Sequence, residues 1–113
     1  MAVLAIQQIA RTGLNPALAA AAAGGDAFPN VGRVFLRVVN ANVGAARTVT
    51  ITSQLPAGAI PEGAVKTDAE VSVPASSERW IGPFDPGSWN DANGRVVVTY
   101  DDEADLTVGA YAL

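Results

Sequence analysis

The sequence contains no cysteine and no histidine. The first absence removes disulfides, thiolate metal ligands and cysteine nucleophiles; the second removes imidazole ligands and the commonest general base. Aromatic residues make up only 6% of the chain and charged residues 16%, and seven Lys+Arg stand against eleven Asp+Glu for a net charge of -4. That is the wrong sign for a protein that must neutralise phosphates, so no nucleic-acid partner is expected. Long hydrophobic runs are also missing. The most apolar stretch, residues 14–25 with its five alanines at 19–23, falls short of the roughly 20 residues a helix needs to cross a bilayer. No Lys or Arg precedes the apolar residues of positions 1–10, and Arg11 follows them, the reverse of a secretory leader. Neither a signal peptide nor a membrane partner is expected.

What is there is apolar and interrupted. Half of the 113 residues are hydrophobic, and 11 Gly and 7 Pro interrupt them, which suits one domain built of short elements and a buried core. Period-two alternation dominates from residue 33 onward, the mark of half-buried strands. In residues 33–39, Val34, Leu36 and Val38 share one face and Arg33, Phe35 and Arg37 the other. In residues 47–52, Val49 and Ile51 point inward against Thr48, Thr50 and Thr52. The turn chemistry of residues 40–44 between these runs predicts a hairpin. Pro56, Gly58 and Pro61 make residues 54–62 a surface loop. Further strands are expected over 66–73, 78–84, 95–100, with Val96, Val98 and Tyr100 on one face, and 106–113, with Leu106, Val108 and Ala110 alternating. Residues 82–91 combine turn formers with Phe84 and Trp89 and read as an ordered loop pinned by its aromatics. Asn93 and Gly94 mark a tight turn. The fold expected is an all-β, single-domain sandwich, Ig-like or jelly-roll-like, over residues 31–113, preceded by an Ala-rich N-terminal arm over 1–30 that is extended or partly helical.

Chemistry-bearing constellations are weak. Asp101, Asp102, Glu103 and Asp105 offer hard oxygen ligands, yet lack the spaced acids and central Gly of a calcium loop, and read as a solvated hairpin turn. Glu78, Asp85 and Asp91, with Trp80 and Trp89 to stack on sugar, single out no carboxylate pair for glycoside hydrolysis. Ser76 and Ser77 have no histidine partner, and Lys66 sits in a loop. No Gly-rich stretch leads to Lys-Ser/Thr and a helix. No enzymatic activity, catalytic residue, metal or cofactor is expected, and binding is the expected work.

The order of motifs then resembles a family. Residues 30–40, Asn30 through Asn40 around Val34, Leu36 and Val38, followed by Thr48, Val49, Thr50 and Ile51, resemble the opening strands of small proteins encoded beside the major capsid protein of tailed bacteriophages. Val71–Ser72–Val73–Pro74–Ala75, Ile81–Gly82–Pro83–Phe84, Trp89–Asn90–Asp91 and Gly94–Arg95–Val96 look like the later part of the same group, so that the resemblance spans about residues 28–112. It implies a capsid decoration, or cement, protein: a structural virion protein on the outer surface of an icosahedral shell, made in the host cytoplasm. The implied partners are the major capsid protein and sister copies of the chain, a trimer being the arrangement that suits a threefold site. Under it, the arm with Leu14, Leu18 and Phe28 and the loop with Phe84 and Trp89 would supply the capsid or subunit interface. The rival readings are a head–tail connector or tail-fibre domain, and a carbohydrate-binding module using Trp80 and Trp89.

Overall fold

A computed structural model describes residues 2–54 and 68–113. Among these residues, ten strands and one short helical turn follow one another as β1 (Ala2–Val3), β2 (Ile6–Gln8), β3 (Ala19–Ala20), β4 (Asp26–Pro29), β5 (Val34–Asn40), β6 (Arg47–Ile51), β7 (Ala69–Val73), β8 (Ser77–Ile81), α1 (Pro86–Trp89), β9 (Arg95–Tyr100) and β10 (Leu106–Ala112). They form two sheets, one ordered β1-β4-β9-β6-β7 and the other β2-β10-β5-β8, with β3 added to the same side of β10 as β2. Both sheets are mixed, because β1 runs parallel to β4 and β2 parallel to β10, while the remaining pairs are antiparallel. The molecule is a small all-β sandwich.

The alternation read from the sequence produces the core directly. Val34, Leu36 and Val38 of β5 sit opposite Ala112, Ala110 and Val108 of β10, and face Val49, Ile51, Val96, Val98 and Phe28 of the other sheet, all sealed from solvent. At about 25 cal/mol per Å² of apolar surface, such faces supply the dominant favourable term. The expected loop over 54–62 lies outside the described residues from 55 onward. Residues 66 and 67 of the strand expected over 66–73 also lie outside them, and its described part contains β7.

Three connections differ from expectation. β5 and β6 are not a hairpin: β5 pairs with β10 and β8, β6 with β7 and β9, so residues 41–46 carry the chain from one sheet to the other. The reason is Asn40. Its buried side chain donates from Nδ2 to the carbonyls of Ala45, Val73 and Pro74 at 3.0, 3.1 and 3.3 Å, and its Oδ1 accepts from Asn42 N. One amide thus satisfies backbone groups of two corners, which turn chemistry alone does not reveal. The acidic run 101–105 likewise bridges β9 and β10 of different sheets and is a corner rather than a hairpin turn. The strand expected over 78–84 ends at Ile81, before a cis Gly82–Pro83 peptide.

Residues 2–29, read from sequence as an arm, are extended and supply strands to both sheets. β1 lies at one sheet's edge and β2 at the other's, with Leu4 between them, its N–H bonded to Ala27 O at 2.8 Å and its side chain buried. This strap laces the two sheets together along one side. β4 is inserted between β1 and β9 and carries Phe28 into the core.

Candidate binding surfaces

The structure divides the residues expected at an interface. Phe28 and Phe84 are core residues, their rings 5.8 Å apart, so neither side chain is available to a partner. Trp89 is half-buried and packs edge-on to Phe84 at 6.1 Å. Leu14 is half-buried, and Leu18 is exposed.

The loop 82–91 is held from both ends. Asp85 caps α1, accepting from Gly87 N and from the Ser88 hydroxyl, a role its short carboxylate fills well. Asn30 and Asn90 clasp each other: Asn30 Nδ2 donates to Asn90 Oδ1 at 2.7 Å and to Phe84 O at 3.0 Å, and Asn90 Nδ2 returns a bond to Asn30 O at 2.8 Å. In the sequence Asn30 stands out only as the start of the motif run 30–40. Its partners lie 54 and 60 positions away, beyond any local signal. Asn93 and Gly94 do form the expected tight turn, with Gly94 N bonded to Asp91 O.

The acidic corner is occupied by its own backbone. Asp101 Oδ1 accepts from Thr48 N and Asp102 N, Asp102 Oδ1 accepts from Ala104 N, and Asp105 Oδ2 accepts from Asn42 Nδ2. Arg47 lies 3.6 Å from Asp102. Among the described residues no group of three or more acidic side chains is arranged to hold a metal ion, and no helix is long and apolar enough to cross a membrane.

Two surfaces remain. The first is the strap. Gln7 clamps residue 17 with two bonds of 2.8 Å, Nε2 to Ala17 O and Ala17 N to Oε1, so the chain between β2 and β3 lies back over β10. It touches down at Gly109, where an added Cβ would stand 2.9 Å from Ala17 O and 2.8 Å from the Tyr111 hydroxyl. Only glycine permits that approach. Between strap and sheet lies an apolar groove of about 280 Å³ lined by Leu4, Leu18, Val108 and Ala110, with Val3, Ile9 and Leu18 exposed in the same segment.

The second is the outer face of the β10-β5-β8 sheet. Trp80, on edge strand β8, is 51% exposed. Its ring packs against Phe35 at 5.5 Å and Tyr111 at 5.3 Å, and the Arg37 guanidinium lies over it at 5.4 Å. Arg37 Nε donates to Glu78 Oε2 at 2.7 Å. That bond, with the Tyr111 hydroxyl nearby, holds Arg37 above the usual guanidinium pKa. Beyond the ion pair a shallow groove of about 460 Å³ continues past Val39, Ser76 and Ser77. Comparison of the chain with known protein families, curated proteins and solved structures finds no match.

Proposed function

We propose that the chain is a structural virion protein that binds the outer surface of an icosahedral phage capsid and cements the shell. The ordered motif resemblance across residues 28–112 carries this reading. A physical contact surface is available for it in the strap, where Val3, Ile9 and Leu18 are exposed and Leu18 also lines an apolar groove. Preferential binding to one lattice state stabilises that state by mass action, and many modest contacts repeated over a shell raise effective affinity without a large interface per copy. Leu14 and Leu18 keep their proposed interface role as part of the strap; Phe28 and Phe84 contribute by holding β4 and the 82–91 loop in place, not by touching a partner.

Quantitative mass spectrometry of purified particles, scaled to the major shell protein, tests the proposal. A copy number comparable to the shell protein is the expected result. A handful of copies per particle moves the chain to a connector or tail, and absence from particles refutes the virion assignment. The Ile9→Glu and Leu18→Glu variants, at exposed positions, are expected to keep the fold and lose most of their capsid occupancy; unchanged occupancy removes the strap from the contact.

A further inference from the structure

The outer face of the β10-β5-β8 sheet has features that a contact with a flat protein surface does not require. Trp80 is an edge-strand tryptophan held rigidly by rings and a guanidinium from β5 and β10, with half its surface open. Glu78, two residues earlier on the same face of β8, holds Arg37 through Oε2, and its Oε1 has no hydrogen-bond partner among the described residues. Ser76 and Ser77 line the groove beyond it, Ser77 with its hydroxyl already donating to Ala75 O at 3.2 Å. At about 3.3 Å per residue, positions 76 to 80 make a path roughly 13 Å long. An aromatic plate beside a carboxylate and guanidinium, continuing into a groove with hydroxyls, matches a ring that is apolar on one face and bears hydroxyls around its rim. The charges of Arg37 and Glu78 cancel, so the surface favours an uncharged ligand over an anionic one.

We infer that this track, centred on Trp80 and the Arg37–Glu78 pair, is a binding site for a neutral oligosaccharide of two or three rings, one ring stacked on Trp80 and its hydroxyls bonded to Glu78 and Arg37. The inference does not rest on the capsid reading: the exposed strap residues Val3, Ile9 and Leu18 are not part of the track, although Tyr111 touches both. On a decorated shell the track is a second surface of the same domain.

The test is a fluorescence titration of the intact protein carrying Trp89→Phe, so that Trp80 is the reporting tryptophan, with maltotriose, cellotriose and tri-N-acetylglucosamine as probes. Saturable quenching by at least one probe is expected. Glu78→Gln in the same background should weaken binding about tenfold. Trp80→Ala, read by calorimetry, should abolish it while the circular dichroism spectrum stays that of the parent. Should Trp89→Phe disturb the fold, nuclear magnetic resonance of the unmodified protein reports the same contact through the Trp80 indole signal. Absence of saturable binding to all three probes overturns the inference, as does binding that survives both Trp80→Ala and Glu78→Gln. Loss of capsid occupancy in Trp80→Ala, together with no sugar binding, reassigns the face to a protein contact and equally overturns it.

Discussion

Replacing Tyr100 by Phe removes one oxygen and tests how the sandwich tolerates a buried carboxylate. Asp26 is fully buried, its Oδ1 has no hydrogen-bond partner among the described residues, and its Oδ2 accepts from the Tyr100 hydroxyl at 2.7 Å and from Ala22 N at 3.2 Å. Without the phenol, only the longer bond remains. A hydrogen bond to a charged group contributes about 1.5–3 kcal/mol, and leaving a buried acceptor without its partner costs about 1–3 or more when it is charged; the expected loss is about 3 kcal/mol. With a urea m-value of about 1.5 kcal/mol/M, the unfolding midpoint followed by circular dichroism should fall by about 2 M. Asp26→Asn keeps an acceptor for the phenol and removes the charge, so its expected cost is below about 1 kcal/mol. A Tyr100→Phe loss under about 0.5 kcal/mol, or an Asp26→Asn loss exceeding it, refutes the reasoning. The pair also predicts alkaline behaviour. Burial first, and the bond to Asp26 second, raise the Tyr100 pKa above the ordinary tyrosine value. The native state therefore holds this proton where the unfolded chain releases it. The stabilisation is complete below about pH 10 and is lost as pH rises further, by at most about 1.4 kcal/mol per pH unit from this group. Tyr100→Phe should flatten that fall.

Asn40→Asp keeps the acceptor for Asn42 N and removes the donor to three carbonyls; it should destabilise by about 3 kcal/mol or more, measured by urea unfolding, and a neutral result would sink the corner-staple role. Gly109→Ala should lift the strap off β10, costing about 1–3 kcal/mol and opening residues 9–18 to limited proteolysis, with an unchanged cleavage pattern counting against the contact. Gln7→Ala removes both bonds to Ala17; about 1 kcal/mol of stability should go, and amide exchange should quicken in β2 and β3 while β5 keeps its protection.

Several elements were legible because their signals are local. Side chains alternate across a strand with a period of two, so residues 33–39, 47–52, 95–100 and 106–113 announced β5, β6, β9 and β10 together with their inward faces, and those positions are the core. Alternation says nothing about partners. Whether β5 turns back on itself or crosses to the opposite sheet was decided by Asn40 reaching residues 33 and 34 positions away. The strap was legible only as an extended or partly helical arm, because two- and three-residue strands are too short to show a period and its pairing partners are β4 and the far end of the chain. Trp80 was visible as an aromatic residue, but its outward aim follows from the β5–β8 register, which sets it opposite Arg37 on the outer face. The sequence by itself determined which residues face inward, since that depends only on neighbours two positions away. Tertiary structure alone decided which strands pair, which polar groups are buried together and which aromatic ring stays at the surface, since those depend on groups that meet only when distant parts of the chain are folded.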